Sequence, residues 1–131
     1  FTQEEINDVV KNLPTDKSPG LDGFNNEFIK ACWDIIKEDT TALIMAFHAG
    51  TVNLESINTS FITLIPKKEV PLTPNDFIPI SLLNGVMKII IKLLANRLQG
   101  VILQIVHINQ YGFLKNRMIQ DCLGWAYEYI N

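Results

Sequence analysis

Three stretches of this chain carry side chains suited to chemistry on an anion: Lys17 in the loop PTDKSPGLDG, the pair Lys67 and Lys68 in LIPKKE, and Gln110, Lys115 and Arg117 in NQYGFLKNR. The cations share one capability, the neutralisation of phosphate oxygens through charge-assisted hydrogen bonds. Gly20 and Gly23 would let backbone approach such a ligand closely. Each feature also has a plainer reading. Exposed lysines are usually only solvated, a proline-glycine loop most often just joins two helices, and Gln110 and Arg117 could equally cap a turn and a helix.

The other reactive side chains point to less. Among the 14 Asp and Glu, the neighbours Glu4-Glu5 and Glu38-Asp39 fall at expected helix ends, where a cap or the helix dipole accounts for them. No Asp-Asp pair lies in an apolar strand. His48 and His107 are isolated, so neither a zinc site nor a catalytic base is supported. Cys32 and Cys122 are far apart in apolar helical patterns and are expected to be buried free thiols. A reducing, intracellular setting, nuclear or cytoplasmic, fits them.

The net charge of −3 alone argues against a nucleic-acid binder. That sum conceals a division: Phe1 to Thr59 holds four Lys against ten acids, a balance of −6, whereas Ser60 to Asn131 holds seven Lys and Arg against four acids, a balance of +3. If a polyanion is bound, the second part is expected to bind it. An apolar content of 47% in 131 residues supports one domain with a real core. The most apolar run, Val86 to Val106, is interrupted by Lys88, Lys92 and Arg97, which excludes a membrane span. With Phe1 first and no basic, apolar leader, a secretory signal is not expected, and the sequence reads as an excerpt.

Several elements must position these side chains. Thr2 and Glu5 predict a capping box, with Phe1 and Ile6 closing a staple and Ile6, Val9, Val10 and Leu13 at helical spacing. Ser18-Pro19-Gly20-Leu21 predicts a type II turn. Phe28, Ile29, Cys32, Trp33, Ile35 and Ile36 mark a second helix, and Leu43, Ile44 and Phe47 a third, capped by Asp39 or Thr40 and ended at Gly50. SFITLI and the run from Phe77 to Leu82 predict two short strands of a ribbon, with a proline-rich tip between them and Pro79 at an edge or bulge. Asn84 is expected to cap a long helix to about Gln99 that buries Met87, Ile90, Ile91, Leu94 and Leu98, with Gly100 breaking or bending it. Met118 to Tyr129 reads as the last helix.

Taken in order, KSPGLDGF, a helical pair, LIPKKE, a proline-rich tip, NDFIPISLLN, KLLANRL and NQYGF resemble the beginning of the reverse transcriptase of LINE-type, non-LTR retrotransposons, with plant elements the most similar. The resemblance spans nearly the whole chain. It implies an RNA-directed DNA polymerase of right-hand architecture, of which this portion supplies the N-terminal extension and fingers. The expected fold is α+β and helix-rich, with a short two-stranded β-ribbon and an incomplete palm. Residues 1–59 would form the helical extension with the KSPGLDGF loop, and residues 60–131 the fingers ribbon and helices.

The resemblance also implies residue roles. Lys17 would contact the template while Asp22 holds the turn. Lys67 would reach the triphosphate of the incoming nucleotide, a task suited to a point charge on a flexible stem, with Lys68 beside it. Gln110, Lys115 and Arg117 would border the primer-template channel. One position departs from the family pattern: its arginine in DFRPIS is replaced by Ile78, which cannot supply forked donors to phosphate. Polymerisation in the family uses Mg²⁺ held by convergent strand aspartates. This chain has none of them, and they are expected beyond Asn131. The implied partners are an RNA or DNA template-primer and the missing palm, or another protein covering apolar helices. A fragment or degenerate remnant without activity of its own is the first expectation, and a non-catalytic helical interaction module the second.

Overall fold

The computed structural model describes residues 1–130. It contains five α-helices and one two-stranded antiparallel sheet, and divides into two compact units, Phe1–Leu93 and a second beginning at Leu94. The division falls inside a helix.

In the first unit, α1 (Gln3–Lys11) starts as its sequence dictates. The Thr2 hydroxyl accepts from the Glu5 N–H at 3.2 Å and the Glu5 carboxylate accepts from the Thr2 N–H at 2.8 Å, completing the capping box. Ile6, Val9, Val10 and Leu13 then enter the core, with Phe1 packed against it. The helices α2 (Asn26–Ala31) and α3 (Trp33–His48) meet at Cys32, the last cap of one and the first of the other. Asp39 and Thr40 therefore cap nothing, and Thr40 is buried within α3. The apolar spacing runs through Cys32 without interruption, so periodicity could not place the break there. Ile35, expected on the buried face, is exposed.

Strands β1 (Phe61–Pro66) and β2 (Phe77–Leu82) pair in register from Phe61 opposite Leu82 to Pro66 opposite Phe77. Pro79 lies opposite Leu64 in an unbulged ladder. With only two strands, each has an outer edge on which a missing N–H costs nothing. No residue of the ribbon is buried, although most are apolar.

From the ribbon the chain enters α4 (Gly85–Ile105). Within the first unit its Met87, Ile89, Ile90 and Leu93 join Ile29, Ile44 and the α1 side chains in one core. That core draws on both sides of residue 59. The expected stripe of Ile91, Leu94 and Leu98 is exposed; this helix is apolar on two faces, and spacing alone cannot choose between them. Nor does Gly100 break it, since a lone interior glycine costs only about 1 kcal/mol and the apolar residues around it keep helical order.

The second unit comprises the rest of α4, a loop, and α5 (Ile119–Ile130). Phe113 and Asn116 adopt positive φ, 63° and 69°, within that loop. The thiols depart from expectation: Cys32 is half-buried and Cys122 is exposed, because the α5 face that carries Cys122 has no neighbour covering it among the described residues. No helix among the described residues is long and apolar enough to cross a membrane.

Candidate nucleotide and nucleic-acid interface

The loop that carries Lys17 is pinned to the start of α4. Its turn is Gly20 to Gly23, closed by a 3.2 Å hydrogen bond from the Gly23 N–H to the Gly20 carbonyl, with Gly23 at φ 74°. The type II turn expected at Ser18 to Leu21 does not form, since it would need positive φ at Gly20 and only Gly23 and Gly50 have it among the described glycines. Gly20 is required for another reason. A Cβ there would collide with the backbone of Leu83 and Asn84.

Asp22 does more than hold the turn. One carboxylate oxygen accepts from the Phe24 N–H at 3.2 Å, and the other accepts from the Gly85 N–H at 2.8 Å, across 63 positions of sequence. The side chain of Asn84 is turned away from the helix it was expected to cap. Its oxygen accepts from the Asp22 N–H at 3.1 Å and its amide donates to the Ile57 carbonyl at 3.1 Å. The first free N–H of α4 is thus capped from a distant loop, with the stabilising sign of an anion at a helix N-terminus. Lys88, one turn in, donates to the Ser18 carbonyl at 2.6 Å. Lys17 itself stays largely exposed, 3.6 Å from Asp16.

At the ribbon tip Lys67 and Lys68 are adjacent, as their sequence requires, but neither ammonium projects freely. Lys67 donates through Nζ to the Asn75 carbonyl at 2.9 Å, and its N–H donates to the Asp76 carbonyl at 2.7 Å. Lys68 pairs with Asp76 at 2.9 Å. The second Asp76 oxygen accepts from the Leu72 and Thr73 N–H groups, each at 2.9 Å. The Lys68 ammonium, then those two amides, hold the Asp76 carboxyl at about 2, below its ordinary 3.8. Asp76 is thus the organiser of the tip. Its signal was present in the Thr-Pro-Asn-Asp run of a capped turn, and the resemblance, which favours cations, passed over it. Ile78 sits on β2 opposite Ile65, half-exposed.

In the second unit, one guanidinium nitrogen of Arg117 donates to the carbonyls of His107 at 2.8 Å, Ile108 at 3.2 Å and Gln110 at 2.7 Å. The Gln110 side chain donates to the Gly112 carbonyl at 3.3 Å. Both residues therefore tie the loop after α4, while Lys115 is exposed. Of the six residues, the fold brings together Lys67 and Lys68 at one tip and Gln110 and Arg117 in one loop.

The carboxylates do not converge. Among the described residues no group of three or more His, Cys, Asp or Glu side chains could hold a metal ion, and Asp22 and Asp76 are already committed to main-chain N–H groups and Lys68. The described residues do not fit the Mg²⁺ pair of a polymerase.

No protein-family model matches the chain. Over 122 residues it is 33% identical to a 149 kDa uncharacterized protein of transposon TX1 from Xenopus laevis, an alignment covering 92% of this chain and 9% of that protein. Over 117 residues it is 29% identical to a probable RNA-directed DNA polymerase from transposon BS of Drosophila melanogaster, covering 84% of this chain and 12% of that protein. The chain thus spans about a tenth of the length of these curated relatives. The proteins it is similar to are transposon proteins, one of them named as a probable RNA-directed DNA polymerase.

Proposed function

We propose that the chain is the N-terminal and fingers-side portion of a LINE-type, plant-like reverse transcriptase, that it contacts template-primer and incoming nucleotide, and that it does not polymerise alone. The observation that carries this reading is the adjacency of Lys67 and Lys68 on a ribbon tip held in shape by Asp76, within a segment homologous to a transposon polymerase. Lys67 would release the Asn75 carbonyl, an exposed and inexpensive hydrogen bond, to reach a triphosphate. Lys17, Lys68, Gln110, Lys115 and Arg117 would contact nucleic acid, Arg117 with the guanidinium nitrogen not engaged by the loop carbonyls.

The exposed apolar ribbon and the open stripe of α4 favour a chain that works against further protein, the polymerase palm or another partner. A non-catalytic interaction module derived from such a domain shares that feature. The two readings separate on one preparation. The polymerase portion should bind single-stranded or primer-template nucleic acid in a salt-sensitive way, lose affinity when Lys67, Lys68, Lys115 and Arg117 are changed to Ala, and extend no primer with Mg²⁺ or Mn²⁺. Extension abolished by EDTA would refute the inactivity. Binding indifferent to salt and to the four substitutions would refute the interface.

A further inference from the structure

The acidic first part of the chain, with a balance of −6 up to Thr59, holds only four lysines. Three of them, Lys11, Lys30 and Lys37, line one open cavity of about 430 Å³ with Asn7, Trp33 and Asp34. They come from three different helices, α1, α2 and α3. The sequence scatters these charges among acids, and the packing of the helices gathers them. Asp34 is the one carboxylate of the lining, and it lies 3.8 Å from Lys37. Among the described residues, neither the Lys11 nor the Lys30 ammonium has a hydrogen bond or ion pair. Three ammonium groups around one cavity repel each other unless an anion joins them.

Trp33 gives the cavity a second chemistry. Its indole N–H donates to the Asn7 side-chain oxygen at 3.0 Å, and Gln3 donates to that same oxygen at 3.1 Å. The ring is therefore fixed in orientation, partly buried against the core and with its remaining surface lining the cavity. A held aromatic face beside several lysines is the composition that binds single strands without sequence preference, the base stacking and the backbone phosphates taking the cations. We infer that this cavity is a single-stranded nucleic-acid site, with one base on Trp33 and the adjoining phosphates on Lys11, Lys30 and Lys37. It adds a contact surface in the part of the chain whose charge balance argues against one, and it extends the nucleic-acid reading proposed above without using any residue of the ribbon tip or the Arg117 loop.

Fluorescence tests this on the full chain, with Trp125→Phe leaving Trp33 as the reporter. Adding a ten-nucleotide oligo(dT) or oligo(U) should quench Trp33. Lys11→Ala, Lys30→Ala and Lys37→Ala together should weaken binding about tenfold or more, and lower the slope of log affinity against log salt by about 2. Should the triple variant lose its fold, single Lys→Gln changes, each lowering the slope by a fraction of that amount, replace it. Unchanged quenching and slope in these variants would overturn the site. So would an acidic peptide of equal charge quenching Trp33 as well as the oligonucleotide, since the cavity would then serve a protein. If these variants lose affinity while the Lys67, Lys68, Lys115 and Arg117 variant does not, the cavity stands and the ribbon-tip interface falls. The reverse pattern removes the cavity alone.

Discussion

Asp76 governs more of the candidate site than either lysine beside it. Its carboxylate gathers the Lys68 ammonium and the Leu72 and Thr73 amides, and so fixes the turn from which Lys67 would reach out. A carboxyl with a depressed pKa stabilises the form in which it is charged. That contribution is present above the ordinary value of 3.8 and is lost as pH falls through about 2. Amide exchange of Leu72 and Thr73, followed relative to other ribbon amides, should therefore stay protected at pH 5 and accelerate between pH 4 and 2. Asp76→Asn should give the faster exchange already at neutral pH. Equal protection in the variant would mean that the prolines hold the tip without it. The lysines were legible from the sequence because basic residues beside a strand end stand out. The role of Asp76 was not, because it depends on which N–H groups the tip turns inward.

At the scale of elements, the decisive contact joins a loop to a helix far along the chain. Asp22 caps Gly85, and Gly20 leaves room for the Leu83 and Asn84 backbone. Asp22→Ala should lower stability by about 1–3 kcal/mol, the range for a charge-assisted bond at a helix start, with Asp22→Asn intermediate. Gly20→Ala should cost a similar amount by overpacking, about 1–3 kcal/mol. Denaturant unfolding of the three variants measures both effects, and no change in either position would show the loop to be loosely docked. The strands, α1 and α5 were readable because capping boxes, β-branched runs and helical spacing are local signals. The capping of α4 was not: Asn84 has the right type and place, and a partner 62 positions away claims its side chain. The junction at Cys32 and the buried face of α4 were hidden for a related reason, since both helices are apolar beyond the stripe they bury.

At the scale of the whole molecule, α1, α2, α3 and the start of α4 share one small core, while the apolar side chains of the ribbon and of the rest of α4 stay open. Order and spacing of motifs made the similarity to transposon proteins legible in the sequence. Charge balance averages along the chain what folding brings together in space, as with Lys11, Lys30 and Lys37, which lie among acids in sequence and line one cavity. The proposal that this is the fingers-side portion of a polymerase is tested most directly by what the chain does when joined to a palm. Exchange it for the matching segment of a transposon polymerase such as the Drosophila relative, and measure template-directed nucleotide incorporation with Ile78 and with Ile78→Arg. The expected result is measurable incorporation by the chimera and, on restoring arginine, an apparent Michaelis constant for nucleotide lower by roughly tenfold or more, as a charge-assisted phosphate contact of about 1.5–3 kcal/mol is regained, with primer-template affinity unchanged. A chimera that folds and binds primer-template yet incorporates no nucleotide, with either residue at position 78, would contradict it.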